Sequence, residues 1–118
     1  MSDAQASAVD LEAALERTGG DRELLAEVAQ MCLDDMPEMV GAIRSSLDGG
    51  DAQALRKAAH KLKGSLVAIA AGPASDAAYA IERLGAEGHL DRAAEALRAL
   101  EAEIDRLRPA LSEFAASA

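Results

Sequence analysis

Between residues 93 and 114 the apolar side chains Ala93, Leu97, Leu100, Ile104, Leu107, Leu111 and Phe114 recur in steps of four and three without a lapse. That period draws one narrow apolar stripe along an α-helix. Strict alternation of this kind favours shallow, coiled-coil-like packing, so the stripe demands partner helices running alongside it. Asp91 opens the helix. Pro109 interrupts its hydrogen bonding without disturbing the pattern, so the helix bends there or ends early.

Other segments supply the partners. After Asp21, a residue type that caps helices, Leu25, Val28, Cys32, Met36, Met39, Ile43 and Leu47 form a second continuous stripe, with Pro37 inside it as a kink or a lost hydrogen bond. Gly49-Gly50 ends that helix and Asp51 caps the next, whose stripe is Leu55, Ala59, Leu62, Leu66 and Ile69. A break at Gly72-Pro73 starts a fourth helix with Ala77, Ala80, Ile81 and Leu84 inward and Gly85 and Gly88 near its end. A shorter helix from about Val9 to Arg17, with Leu11 and Leu15 on one face, precedes them and stops at Gly19-Gly20. Short turns between long helices predict an all-α chain, an antiparallel four-helix bundle with a short extra N-terminal helix.

A length of 118 residues predicts one domain, 1–118, with 1–8 and 115–118 as frayed tails. A net charge of −9 and only two aromatic residues, Tyr79 and Phe114, exclude nucleic-acid binding, which calls for basic surface and stacking platforms. The same charge opposes anionic membrane surfaces, and no segment approaches the roughly 20 apolar residues that cross a bilayer. Residues 1–8 show neither a signal peptide nor a lipidation motif, and the single cysteine, Cys32, fits a reducing compartment; the expectation is a cytoplasmic monomer.

The only three lysines, Lys57, Lys61 and Lys63, all lie within three residues of His60. At about 100° per residue His60 falls roughly 140° from the centre of its helix's apolar stripe, which places it in solvent. Its neighbours one turn away are Arg56, Lys57, Lys63 and Gly64. Cations beside an imidazole disfavour imidazolium and leave the ring a nucleophile; they also attract a dianionic phosphoryl group and offset charge as it transfers. A glycine inside a helix costs about 0.5–1 kcal/mol relative to alanine. In so alanine-rich a chain, Gly64 beside the histidine indicates close approach by another molecule. A solvent-facing histidine is ordinarily just a surface residue, and the confinement of every lysine to this spot in an acidic chain is what sets His60 apart.

Weaker candidates fall away on local grounds. His89 sits in a Gly88-His89-Leu90 turn, Lys61 points along another azimuth, Ser65 lies near the core edge where it can bond back to the preceding turn, and Met36 and Met39 read as core or rim packing. No His pair at i, i+4 accompanies His60 and its neighbours repel a metal, so no metal site is expected. Cys32 falls on a core stripe, and Asp34-Asp35 and Glu101-Glu103-Asp105 read as solvated helix faces.

The run Ala58-Ala59-His60-Lys61-Leu62-Lys63-Gly64-Ser65 resembles the H-x-L-K-G-S signature of histidine-containing phosphotransfer (HPt) domains. The resemblance continues in Gly20-Asp21 followed by Leu24-Leu25, Pro37, Gly50-Asp51, Ala71 and Ile81-Glu82. It implies a four-helix bundle whose exposed histidine accepts a phosphoryl group from a receiver-domain aspartate and passes it to another receiver. His60 is then the phosphoacceptor, Lys63 steadies the phosphoryl group, Gly64 gives the receiver clearance, and Arg56 and Lys57 join the binding surface. The implied partners are receiver domains of response regulators or hybrid histidine kinases, with Mg²⁺ in the receiver and no cofactor of the chain's own. Two positions depart from the pattern: Cys32 where an aromatic is common, and Ala70 where a glycine usually follows the histidine helix.

Glycine pairs that read as helix ends leave no nucleotide-binding loop, so the expected role is a phosphocarrier without autonomous kinase activity, rather than an enzyme. The competing reading is a helical adaptor or inhibitor that docks on a receiver or histidine kinase without being phosphorylated. Against it stands Gly64, since a passive adaptor has no use for a helix-weakening glycine beside a histidine.

Overall fold

Three aspartates begin helices, each carboxylate accepting the backbone N–H three residues on: Asp10 from Ala13, Asp21 from Leu24 and Asp51 from Ala54, all at 3.0 Å. The computed structural model describes residues 8–117. Among them are five helices and no strand: α1 Leu11–Arg17, α2 Arg22–Asp48, α3 Ala52–Ala68, α4 Gly72–Glu87 and α5 Leu90–Ser117. Because Asp10 is a cap, α1 starts at Leu11 rather than at Val9. Of the expected tails, 1–7 and 118 lie outside the described residues; Ala8 is buried in the core and α5 stays helical through Ser117.

Helix α2 packs on α3 and α5, and α4 packs on the same two, which closes a ring of four antiparallel neighbours joined by short turns. At 27 and 28 residues, α2 and α5 each reach about 40 Å and account for the 41 Å long axis of the molecule. Both helices run unbroken through their prolines, Pro37 and Pro109, so α5 does not end early. The shorter α3 and α4 leave one end of the bundle uncovered, and α1 fills it. There Asp10 N–H donates to Ala70 O at 3.0 Å and the Arg17 guanidinium donates to Val67 O.

The α5 seam is buried from Ala93 to Phe114, and the α3 stripe Leu55, Ala59, Leu62, Leu66 and Ile69 is sealed from solvent. Helix α4 departs from expectation. Its inward face is Ala74, Ala78, Ile81 and Gly85, while Ala77 and Leu84 are half-buried and Ala80 is exposed. Alanines at five of its positions give the apolar pattern no clear phase; Gly85 and Gly88 do lie near the helix end, Gly85 buried in the last turn and Gly88, left-handed at φ 75°, as the cap.

Helix α3 ends in a left-handed residue that is not glycine. Ala70 has φ 56°, flanked by the hydrogen bonds Ala70 N to Val67 O and Ala71 N to Leu66 O that close the terminus. The departure noticed at Ala70 is therefore a strained backbone position, because a Cβ crowds the neighbouring carbonyl in that conformation.

Candidate functional site

The core stripe of α3 turns His60 outward, and its side chain is 64% exposed. Its Nδ1 lies 3.1 Å from Glu82 Oε2 on α4, and the other oxygen of the same carboxylate, Oε1, lies 2.8 Å from Lys63 Nζ. Lys63 Nζ in turn sits 5.0 Å from the centre of the Tyr79 ring, a cation–π contact. His60 and Lys63 are three residues apart on α3, Tyr79 and Glu82 three apart on α4, and the two pairs meet in antiparallel order across one groove.

Glu82 Oε1 is shielded from solvent without a well-aligned hydrogen bond, so its contact with Lys63 is an ion pair more than a directed bond. The Lys63 ammonium is the chief reason the Glu82 carboxyl lies below the usual carboxylate range; partial burial opposes the shift and His60 adds to it. An ionised carboxylate only accepts, so Nδ1 of the ring carries the hydrogen. In the neutral imidazole the lone pair then belongs to Nε2, on the far side of the ring. The immediate partner of His60 is thus an anion; among the described residues neither Arg56, half-buried, nor Lys57, exposed, pairs with the ring. Gly64 is exposed in ordinary helical backbone, with open space where a side chain would stand.

The other flank of α3 is looser. Lys61 and Ser65 face Asp35 and Glu38 of α2 across a cleft of about 320 Å³. Ser65 Oγ donates to Met39 Sδ at 3.7 Å instead of bonding back along its own helix. Met36 and Met39 are core residues, and Cys32 is a buried thiol pushed up to about 11 by burial and by Asp35. His89 is exposed in the α4–α5 turn. The acidic runs are surface: Asp34 accepts from Gln30, Glu101 pairs with Arg44, and Glu103 pairs with Arg106 at 2.8 Å. Among the described residues no group of three His, Cys, Asp or Glu side chains is placed to hold a metal, and no helix is long and apolar enough to cross a membrane.

Sequence reasoning brought His60, Lys63 and Gly64 together but missed Tyr79 and Glu82 as parts of the site. One signal was present: a lone aromatic and an acid three residues apart in an alanine-rich helix, matching the His60–Lys63 spacing.

The antiparallel helical bundle thus presents on α3 a surface imidazole held by a carboxylate from the next helix and flanked by a lysine and a bare glycine. The Hpt domain family model matches residues 27–110, and the chain belongs to that family, the histidine phosphotransfer domains of two-component phosphorelays. Among solved structures, the histidine-containing phosphotransfer protein B of Pseudomonas aeruginosa PAO1 superposes with a TM-score of 0.87 at 22% identity over 94% of this chain and 96% of its own. The HPT domain of a sensor hybrid histidine kinase from Shewanella gives 0.82 at 18% identity over 95% and 97%. No curated protein matches the chain in sequence.

Proposed function

We propose that His60 is the phosphoacceptor of a cytoplasmic, monomeric phosphorelay intermediate that takes a phosphoryl group from a receiver-domain aspartate and delivers it to another. The observation that carries this reading is the Glu82 carboxylate at 3.1 Å from Nδ1, which directs the lone pair to Nε2 of an exposed ring. Nε2 attacks the phosphorus of the aspartyl phosphate; the N–P bond forms as the P–O bond to the receiver carboxylate breaks, and the carboxylate leaves with the electron pair. The Nδ1 proton stays in place, so positive charge develops on the ring against Glu82, which offsets it. Onward transfer reverses these steps, with the neutral imidazole as leaving group.

Lys63, one turn from His60 and paired with the same carboxylate, gives the incoming phosphoryl oxygens a counter-charge, and Gly64 leaves the receiver a flat approach. Arg56 and Lys57 extend the positive patch toward the partner. The chain contributes no cofactor; Mg²⁺ and the reactive aspartate come with the receiver domains of response regulators or hybrid kinases. The test is incubation with ATP and Mg²⁺ alone, expected to leave the protein unlabelled, against incubation with a ³²P-labelled receiver, expected to give one acid-labile, alkali-stable label. His60→Gln should abolish that label and His89→Gln keep it; label surviving in His60→Gln refutes the assignment.

A further inference from the structure

Backbone meets backbone one helical turn from the site. An alanine Cβ at position 85 of α4 would lie 2.8 Å from Arg56 N and 3.0 Å from both Ala52 O and Arg56 Cα, all main-chain atoms of α3 that cannot rotate aside. Only glycine admits this approach, and it does so at a buried position in the last turn of α4. Gly85 stands three residues beyond Glu82 on α4, and Arg56 stands four before His60 on α3. This close backbone contact between the two helices therefore lies one helical turn from the carboxylate bridge.

We infer that Gly85 is a positioning residue for the phosphotransfer site: its missing side chain sets the α3–α4 spacing at which one Glu82 carboxylate spans His60 Nδ1 and Lys63 Nζ, and so selects the ring tautomer that presents Nε2. The inference rests on the assignment of His60 as acceptor for its catalytic meaning, though not for its geometry. Ordinary van der Waals contact needs roughly half an ångström more than position 85 offers a methyl group. Moved by that much, the 3.1 Å contact at Nδ1 leaves the range of about 2.7–3.2 Å in which an N–H···O bond is strong. Freed of Glu82, the neutral imidazole exchanges its proton between both nitrogens and loses its fixed nucleophile.

The test reads the ring itself. Long-range ¹H–¹⁵N spectra of the His60 imidazole, recorded at alkaline pH on the full chain, resolve which nitrogen bears the proton. Wild type and Gly41→Ala, a helix-interior change in α2 with open space around it, should show two well-separated nitrogen shifts with Nδ1 protonated. Gly85→Ala should bring the two shifts together, lower the thermal midpoint and slow phosphoryl transfer by roughly tenfold or more. Glu82→Asp shortens the bridge by one methylene without touching the backbone contact and should give the same convergence in a fully folded protein. If Gly85→Ala does not fold while Gly41→Ala does, that failure itself shows the backbone contact to be required, and Glu82→Asp then decides whether the bridge selects the tautomer. Wild-type shifts in either Gly85→Ala or Glu82→Asp overturn the inference. Absence of any label on wild-type His60 would instead refute the phosphoacceptor assignment, leaving the spacing result to stand separately.

Discussion

Helix α3 is held by different means on its two flanks. Toward α4 the backbones touch at Gly85, and His60, Glu82, Lys63 and Tyr79 are linked by direct contacts. Toward α2 the corresponding surface, Lys61 and Ser65 against Asp35 and Glu38, stays open around a cleft. Both flanks carry a lysine and acidic partners, so composition alone does not distinguish them. The difference lies in helix separation: a short, branched carboxylate can bridge two groups on the neighbouring helix only where that helix comes unusually near, and only then does a surface imidazole acquire a preferred orientation.

The largest effect that separates the flanks is on transfer rate. Lys63→Ala removes the counter-charge from the α4 side and should slow phosphorylation of His60 by about ten- to a hundredfold, while Lys61→Ala on the α2 side should stay within about twofold. Quench-flow transfer from one labelled receiver, with circular dichroism to confirm equal folding, measures both. Equal losses would show that the patch acts as diffuse charge and that the two flanks are equivalent.

A second change probes stability without touching either flank. Ala70→Gly relieves the left-handed alanine after α3 and should stabilise the fold by about 0.5–1 kcal/mol in urea unfolding, the gain reduced by the greater freedom of glycine in the unfolded chain. The transfer rate should not change. If it rises with stability, the rate reports overall rigidity and not the α4 groove.

The smallest effect is a pH dependence. Because Lys63, aided by His60, lowers the folded-state pKa of Glu82, the stability this pairing contributes is complete above the unfolded value near 4.5 and is lost as pH falls below it through the depressed folded value. Urea midpoints of wild type and Glu82→Gln should therefore converge as pH drops through that window. A constant gap across it would mean that the carboxylate is not charged when it bridges the pair.

Much of this architecture is readable from residue order, and the parts that are not share a cause. The α5 seam, the α3 stripe and the caps at Asp21 and Asp51 depend on periodicity and local hydrogen bonding, which a linear sequence carries directly. The phase of α4 is not legible because alanine occupies inward and outward positions alike, and neither is the contact of Gly85 with α3, because a helix–helix contact leaves no mark on its own segment. Glu82 and Tyr79 joined the site only once the antiparallel register of α3 and α4 was known. His60, Lys63 and Gly64 were legible together because they lie on one turn of one helix.

The most direct measurement of the central claim is the position of the phosphoryl group on the ring. Wild-type protein phosphorylated by a receiver, held at alkaline pH and examined by ³¹P and ¹⁵N spectroscopy, should carry phosphorus on Nε2 of His60, with Nδ1 still facing Glu82. Phosphorus on Nδ1, or on any residue other than His60, would contradict the account.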